Sequence, residues 1–195
     1  MQYICSNSDQ QIIKQSLLAE MAHVEHSIHR AEALQLVGSY LAPKVFVDIS
    51  NTKITIIQQR AKFDFTFALA VGPQKVILLA KIVDSFHKHG LVHGDLCTSN
   101  IGVRSGKVLI FDWEASLELK TGGLRTTRYC IHPQDLKAGR ISVLTDRYAV
   151  TLLALMSRLG ISSPTLARKK FHRLILQLLV KHEEIPLYRI VTAVL

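Results

Sequence analysis

The sequence predicts an α+β fold, with a small mixed part to about residue 58 and a mainly helical part after it. Three observations predict this. Short β-branched runs cluster before residue 58, and apolar residues recur at three- and four-residue steps over several other stretches. With 48% apolar and 20% charged residues in a chain of 195, there are enough apolar side chains for a sizeable core.

In chain order, residues 10–15 read as a short strand paired with Gln2–Cys5. From Leu17 to Val37 the period becomes helical, because Leu17, Met21, Val24, Ile28 and Ala31 form one stripe, and Gly38 is a suitable stop. Glu32 lies one turn beyond Ile28 and roughly 20° from Met21 on the wheel, so it borders the buried stripe. Glu25 sits close to the same line. Two β-branched strands follow, Lys44–Ile49 and Lys53–Gln58, around the turn formers Ser50-Asn51-Thr52. After the polar break Gln59-Arg60-Ala61-Lys62, Val76–His89 reads as an apolar helix capped by Gly90.

A short apolar run and a polar loop lead to Asn100, and Ile101–Val103 with Lys107–Phe111 form a tight hairpin about Arg104-Ser105-Gly106. From Thr121 to Val143 there are turn residues and no clear period. Thr145 or Asp146 can cap a helix running to Leu159, with Gly160 as its stop. Ser163-Pro164 opens a longer basic helix to about His182, and a last helix spans Pro186–Val194. The expected division is therefore residues 1–58 and residues 59–195.

Composition excludes several classes. The longest apolar stretch, Phe65 to Val83, is broken by Pro73, Lys75 and Lys81, so no membrane span is expected. The first residues have neither a basic start nor an apolar core, unlike a signal peptide. Three cysteines (Cys5, Cys97, Cys130) are odd in number and too sparse for a disulfide framework, which suits a reducing, cytoplasmic setting. The formal charge of +9 is uneven: nine basic residues against eight acidic over residues 1–103, and fifteen against seven over 104–195. The basic second half suits a protein partner with an acidic surface. Nucleic acid is only weakly supported, since no aromatic-interleaved basic run or zinc spacing accompanies the charge.

The chemistry is concentrated in His93-Gly94-Asp95-Leu96-Cys97-Thr98-Ser99-Asn100, followed by Phe111-Asp112-Trp113-Glu114. A loop leaving a buried helix holds one carboxylate, Asp95, and an amide, Asn100, five positions later. The hairpin then places a second carboxylate, Asp112, at a strand end. Two oxygen ligands on separate elements suit Mg²⁺, which keeps water and phosphate in the rest of its shell. The remaining carboxylate can orient or deprotonate an attacking hydroxyl. Phosphoryl transfer needs this set, because its catalysis is mostly positioning and charge neutralisation.

These residues resemble the protein-kinase superfamily, over roughly residues 10–160. His93-Gly94-Asp95 to Asn100 looks like the catalytic loop, and Asp112-Trp113-Glu114 takes the place of the metal-binding Asp-Phe-Gly. The resemblance implies a protein-kinase-like bilobal fold with a reduced N-lobe and a mainly helical C-lobe. It implies Asp95 as catalytic base, Asn100 and Asp112 as metal ligands, and His93 as a structural loop residue. Lys14 would contact the phosphates of ATP, with Glu32, eighteen residues on, as its ion-pair partner. Gln58, Gln59, Arg60 and Ala61 fall where the family's hinge holds adenine. His132-Pro133-Gln134 sits where protein kinases carry Ala-Pro-Glu, Asp146 matches the buried structural aspartate, and Thr127 the threonine of the substrate-docking loop. The implied activity is transfer of the ATP γ-phosphate to a protein Ser, Thr or Tyr hydroxyl with Mg²⁺. The trimmed size is similar to small effector or viral kinases, which would place the chain inside a host cell.

Departures define the rivals. Only thirteen residues precede Lys14, too few for the full glycine-rich flap, and no Gly-x-Gly-x-x-Gly is present, so ATP is expected to be held without that lid or by a substitute. Glu114 replaces the glycine after Asp112, Gly94 replaces the arginine that reads a phosphorylated activation loop, and Cys97 stands where many Ser/Thr kinases keep a lysine. Gln134 cannot make the salt bridge of the usual glutamate. A pseudokinase using the basic C-lobe for docking is one alternative. The His-Gly-Asp form also looks like small-molecule phosphotransferases of the aminoglycoside or choline type, and like the small atypical kinase of the KEOPS tRNA-modifying complex. The long segment between Asp112 and Asp146 argues against both. Outside the motif, His23, His26 and His29 read as a polar helix face, His87 and His89 as complements to a helix C-terminus, Cys97 as an unreactive thiol, and Trp113 as a replacement for phenylalanine.

Overall fold

In the computed structural model, the residues described are 2–4, 11–17, 45–50, 53–59, 72–104, 107–110 and 129–195. Strands β1 (Gln2–Ile4), β2 (Gln11–Leu17), β3 (Val45–Ser50) and β4 (Lys53–Gln59) form one antiparallel sheet in the order β1-β2-β4-β3. The β1–β2 pairing and the β3–β4 hairpin follow the sequence reading. Two boundaries move. β2 continues through Leu17, in register with Lys53, so the helical period cannot begin at that residue. β4 extends to Gln59, which pairs with Gln11, one residue past the expected division at 58. The remainder of the stretch to Val37 lies outside the described residues.

The helical part is built on α1 (Gly72–Lys88), α2 (Pro133–Ala138), α3 (Val143–Leu159), α4 (Pro164–Lys181) and α5 (Leu187–Val194), with the hairpin β5 (Ile101–Arg104) and β6 (Lys107–Ile110). α1 begins a turn earlier than its apolar period indicates, because Pro73 is compatible with a first helical turn. It buries Val76, Leu79, Ala80, Ile82, Val83 and Phe86. Its end is set by Gly90 at φ 72°, a conformation that disfavours any Cβ, which lets Leu91 N donate to Phe86 O at 3.0 Å.

α3 is the axis of the core. Every residue from Thr145 to Met156 is buried, and α3 packs against α1, α4 and α5. A helix covered all round reads as a core helix. Its N-cap is Ser142, whose hydroxyl accepts from Leu144 N; the sequence reading had placed the cap at Thr145 or Asp146. Those two side chains serve other segments instead. Gly160 ends α3 in the left-handed conformation, as read from the sequence, and α4 turns away at 109°.

Two tertiary caps complete the packing. Pro186 offers no side-chain cap to α5, so the Asp84 carboxylate of α1 accepts from Leu187 N and Tyr188 N at 2.8 and 3.0 Å. At the end of α4, the buried Arg147 side chain donates from its guanidinium to His182 O and Ile185 O. Among the described residues no single helix is long and apolar enough to cross a membrane.

Candidate active site

The loop after α1 is shaped by a carboxylate from outside it. Asp146, fully buried in the first turn of α3, accepts from His93 N at 2.8 Å and from Gly94 N at 2.7 Å. His87 of α1 donates from Nε2 to the same carboxylate at 3.0 Å. The sequence reading gave His87 to a helix terminus, and only His89 behaves so, with Nδ1 2.8 Å from Ser85 O. His87 instead supplies a third donor to Asp146, which offsets the cost of burying a carboxylate.

Gly94 has φ 83°, a region open to glycine and strained for arginine, so its place in the motif follows from backbone geometry. His93 is fully buried, and its Nδ1 accepts from Asp95 N at 3.2 Å. That bond needs the Nδ1 lone pair and makes His93 a residue that orders the loop.

Asp95 and Asn100 are brought together. Asn100 Nδ2 donates to Asp95 O at 2.9 Å and to Asp95 Oδ2 at 3.0 Å. Backbone bonds from Cys97 N to Asp95 O and from Asn100 N to Cys97 O tighten the same turn. Asn100 is buried and Asp95 partly exposed, so the amide is fixed while the carboxylate meets solvent. With both Asn100 amide protons directed at Asp95, its Oδ1 remains an acceptor; Ser99 Oγ donates to it at a long 3.3 Å. The immobile Asn100 amide oxygen is a hard-oxygen donor of the kind Mg²⁺ takes. Among the described residues no group of three or more His, Cys, Asp or Glu is placed to hold a metal ion. The buried Cys97 thiol lies 2.9 Å from Ser99 Oγ and packs into the core.

The other predicted residues divide into two groups. Lys14 lies on β2, an interior strand, in register with Tyr3 and Ile56. Gln58 and Gln59 end β4, three pairs along the same ladder, so about 10 Å separates Lys14's register from the strand end. Glu32, Arg60, Ala61 and Asp112 lie outside the described residues, as do Thr127, Glu114 and Trp113.

Sequence reasoning missed the organisation of the segment Tyr129–Ser142, which holds a second buried carboxylate. Asp135, in α2, accepts from Ser142 N, from Ser142 Oγ and from Thr145 Oγ1 at 3.0, 2.8 and 2.6 Å. Thr145 Oγ1 in turn accepts from His132 N. His132 caps α2, its Nδ1 accepting from Gln134 N at 3.3 Å. From α4, Arg168 Nη1 donates to Ile131 O at 3.0 Å and the guanidinium lies over the Tyr148 ring, 5.2 Å from its centroid. His172 Nδ1 is 2.8 Å from the Tyr148 hydroxyl. Burial lowers the pKa of both His132 and His172, the first against the opposing pull of Asp135, the second with Arg168 and Arg173 acting in the same direction. Burial and the neighbouring Cys97 push the Cys130 thiol well up, keeping it protonated. The available signal was the His-Pro-Gln-Asp run followed by Ser142, a cap-and-turn pattern.

No protein-family model matches the chain. The chain is similar to the kinase PK-1 of Cydia pomonella granulovirus, with a TM-score of 0.59 and 16% identity over 77% of this chain and 60% of that one. The fold is therefore kinase-like. It also matches a probable bifunctional tRNA threonylcarbamoyladenosine biosynthesis protein of Methanoculleus marisnigri, 33% identical over 76 residues. That match covers 37% of this chain and spans 14% of the curated relative.

Proposed function

We propose that the chain is an ATP- and Mg²⁺-dependent phosphotransferase of the protein-kinase-like class, acting on a protein Ser, Thr or Tyr hydroxyl. The observation that carries this reading is the Asp95–Asn100 pair, bonded at 3.0 Å within a loop whose backbone is clamped by buried Asp146. A preorganised loop costs no rearrangement when charge develops in the transition state. Asp95 orients the acceptor hydroxyl and takes its proton, while Asn100 presents Oδ1 to the metal together with Asp112. Bound Mg²⁺ supplies neutralisation of the phosphate charge.

In this reading residues 1–58 form a reduced N-lobe and 59–195 the C-lobe. The interior position of Lys14, three pairs along the shared ladder from the end of β4, supports a nucleotide lying between Lys14 and the segment Gln58–Ala61, with Glu32 pairing Lys14. A protein acceptor is favoured by the segment Tyr129–Ser142, which Asp135 and Arg168 hold against the helical core as an ordered docking surface. The similarity to the tRNA threonylcarbamoyladenosine biosynthesis protein favours a second reading, an atypical kinase serving tRNA modification.

Thermal melting with and without ATP plus Mg²⁺ tests nucleotide binding, since a ligand bound only to the native form raises the melting temperature. The parent shifts upward and Asp112→Ala does not. Transfer of ³²P to protein mixtures, run against tRNA-modification assays and small alcohols, separates the acceptor classes. Asp95→Ala lowers transfer by about 10²-fold or more. Undiminished transfer in that variant contradicts the role of Asp95, and an unshifted parent favours a non-catalytic pseudokinase.

A further inference from the structure

The outward face of α4 is unlike an ordinary solvated helix surface. Over the eighteen residues of Pro164–Lys181 there are five Lys/Arg and no Asp or Glu. The inner side buries Ala167, Ile175 and Leu179. The outer side presents Lys169, Lys170, Arg173 and Lys181, all exposed, at helical spacing along one stripe. Among them stand Leu166, Leu174 and Val180, with 56%, 43% and 74% of their surfaces exposed. Leu176, Gln177, Val180 and Lys181 line a shallow hollow at the C-terminal end. The first acidic residues, Glu183 and Glu184, come only after the helix ends. Solvated faces usually intersperse both signs, so a one-signed stripe with aliphatic side chains left in water marks a surface that meets a partner.

We propose that this face docks an acidic amphipathic helix, with its carboxylates against Lys169, Lys170 and Arg173 and a leucine-type side chain seated in the hollow beside Val180. The composition decides between partners. A phosphate backbone rewards the cations but leaves the aliphatics unused, and the face offers no exposed aromatic ring for base stacking. An acidic amphipathic helix uses both sets at once. The location adds a functional consequence that rests on the protein-kinase reading above. Arg168, on the flank of the same helix, holds the segment before α2 through Ile131 O. A protein docked on α4 is thereby held by the same rigid element that positions the segment proposed to receive the acceptor.

The test is binding, measured without catalysis. A fluorescently labelled twenty-residue Glu/Leu peptide, with leucines at three- and four-residue steps, is titrated with the full chain by anisotropy. The same is done with a Lys/Leu peptide, bulk tRNA and phosphatidylserine vesicles. The Glu/Leu peptide binds. The triple variant Lys169→Glu, Lys170→Glu, Arg173→Glu weakens it at least tenfold, Val180→Asp several-fold, and the Lys/Leu peptide does not bind. If the triple variant does not fold, judged by circular dichroism, Val180→Asp and Lys170→Glu singly carry the test. Equal peptide affinity in the folded variants overturns the proposal. So does tRNA or vesicle binding that these variants abolish while the peptide fails to bind. Because the readout needs no nucleotide, it can succeed even if the parent shows no ATP-dependent melting shift, which would sink only the kinase reading.

Discussion

The loop Gly90–Asn100 and the segment Tyr129–Ser142 are each organised by one buried carboxylate, but on different scales. Asp146 reaches backbone groups 52 and 53 positions earlier in the chain. Asp135 collects donors from Ser142 and Thr145, seven and ten positions later. The loop's shape therefore depends on α1 and α3 being packed together, whereas the cluster about Asp135 is a local turn closed on itself. The local turn then needs a separate anchor, which Arg168 supplies through Ile131 O from 37 residues away. The loop that carries Asp95 and Asn100 is thus tied to the core, while the segment proposed for docking is pinned by contacts that can be altered singly.

The largest effect is expected of Asp146→Ala. It leaves two buried backbone N–H groups and His87 without their acceptor, and is expected to cost about 3 kcal/mol or more, measured by urea unfolding. On the kinase reading proposed above, phosphoryl transfer falls in parallel, because Asp95 loses its fixed position. Asp135→Ala is expected to cost about 2 kcal/mol. On the same proposed reading, the melting shift with ATP plus Mg²⁺ persists while the Michaelis constant for a protein acceptor rises. An equal loss of nucleotide binding in both variants would erase the distinction between the two regions.

A smaller effect comes from pH. His132 and His172 have pKa values lowered below the ordinary histidine value of about 6.5, since burial favours the neutral ring. Their contribution is fully present above that ordinary value and is lost as pH falls through the lowered folded values. Protonation removes the His132 Nδ1 acceptor that caps α2. Below about pH 6.5 the unfolding midpoint of the parent should fall more steeply than that of the double variant His132→Asn, His172→Gln. Parallel curves would assign the acid sensitivity elsewhere. Least in effect, Asp84→Ala uncaps α5 at about 1 kcal/mol and leaves both regions intact, serving as a control for general destabilisation.

Much of this was legible from residue order. The hairpins, α1 with its Gly90 stop, α3 to Gly160 and α4 from Ser163-Pro164 all rest on periodicity and punctuation, which are short-range properties. The motif His93-Gly94-Asp95 to Asn100 placed the polar pair, since five positions of loop suffice to bring an amide back onto a carboxylate. Less legible was the purpose of individual polar side chains. Ser142, Thr145 and Asp146 stand within five residues and any of them can cap a helix. Residue type alone does not say which one will.

Packing resolves that ambiguity. Once α3 lies against α1, Asp146 faces the two amides of the loop, Thr145 faces Asp135, and Ser142 is left at the helix entrance. His87 turns to a carboxylate and Asp84 caps a helix more than a hundred residues downstream for the same reason. Periodicity and spacing along the chain specify which segments become helices or strands and where a motif begins. A partner for a buried charge is chosen by whichever donors arrive nearby when those elements close on one another, because burial makes an unpaired polar group too costly to leave.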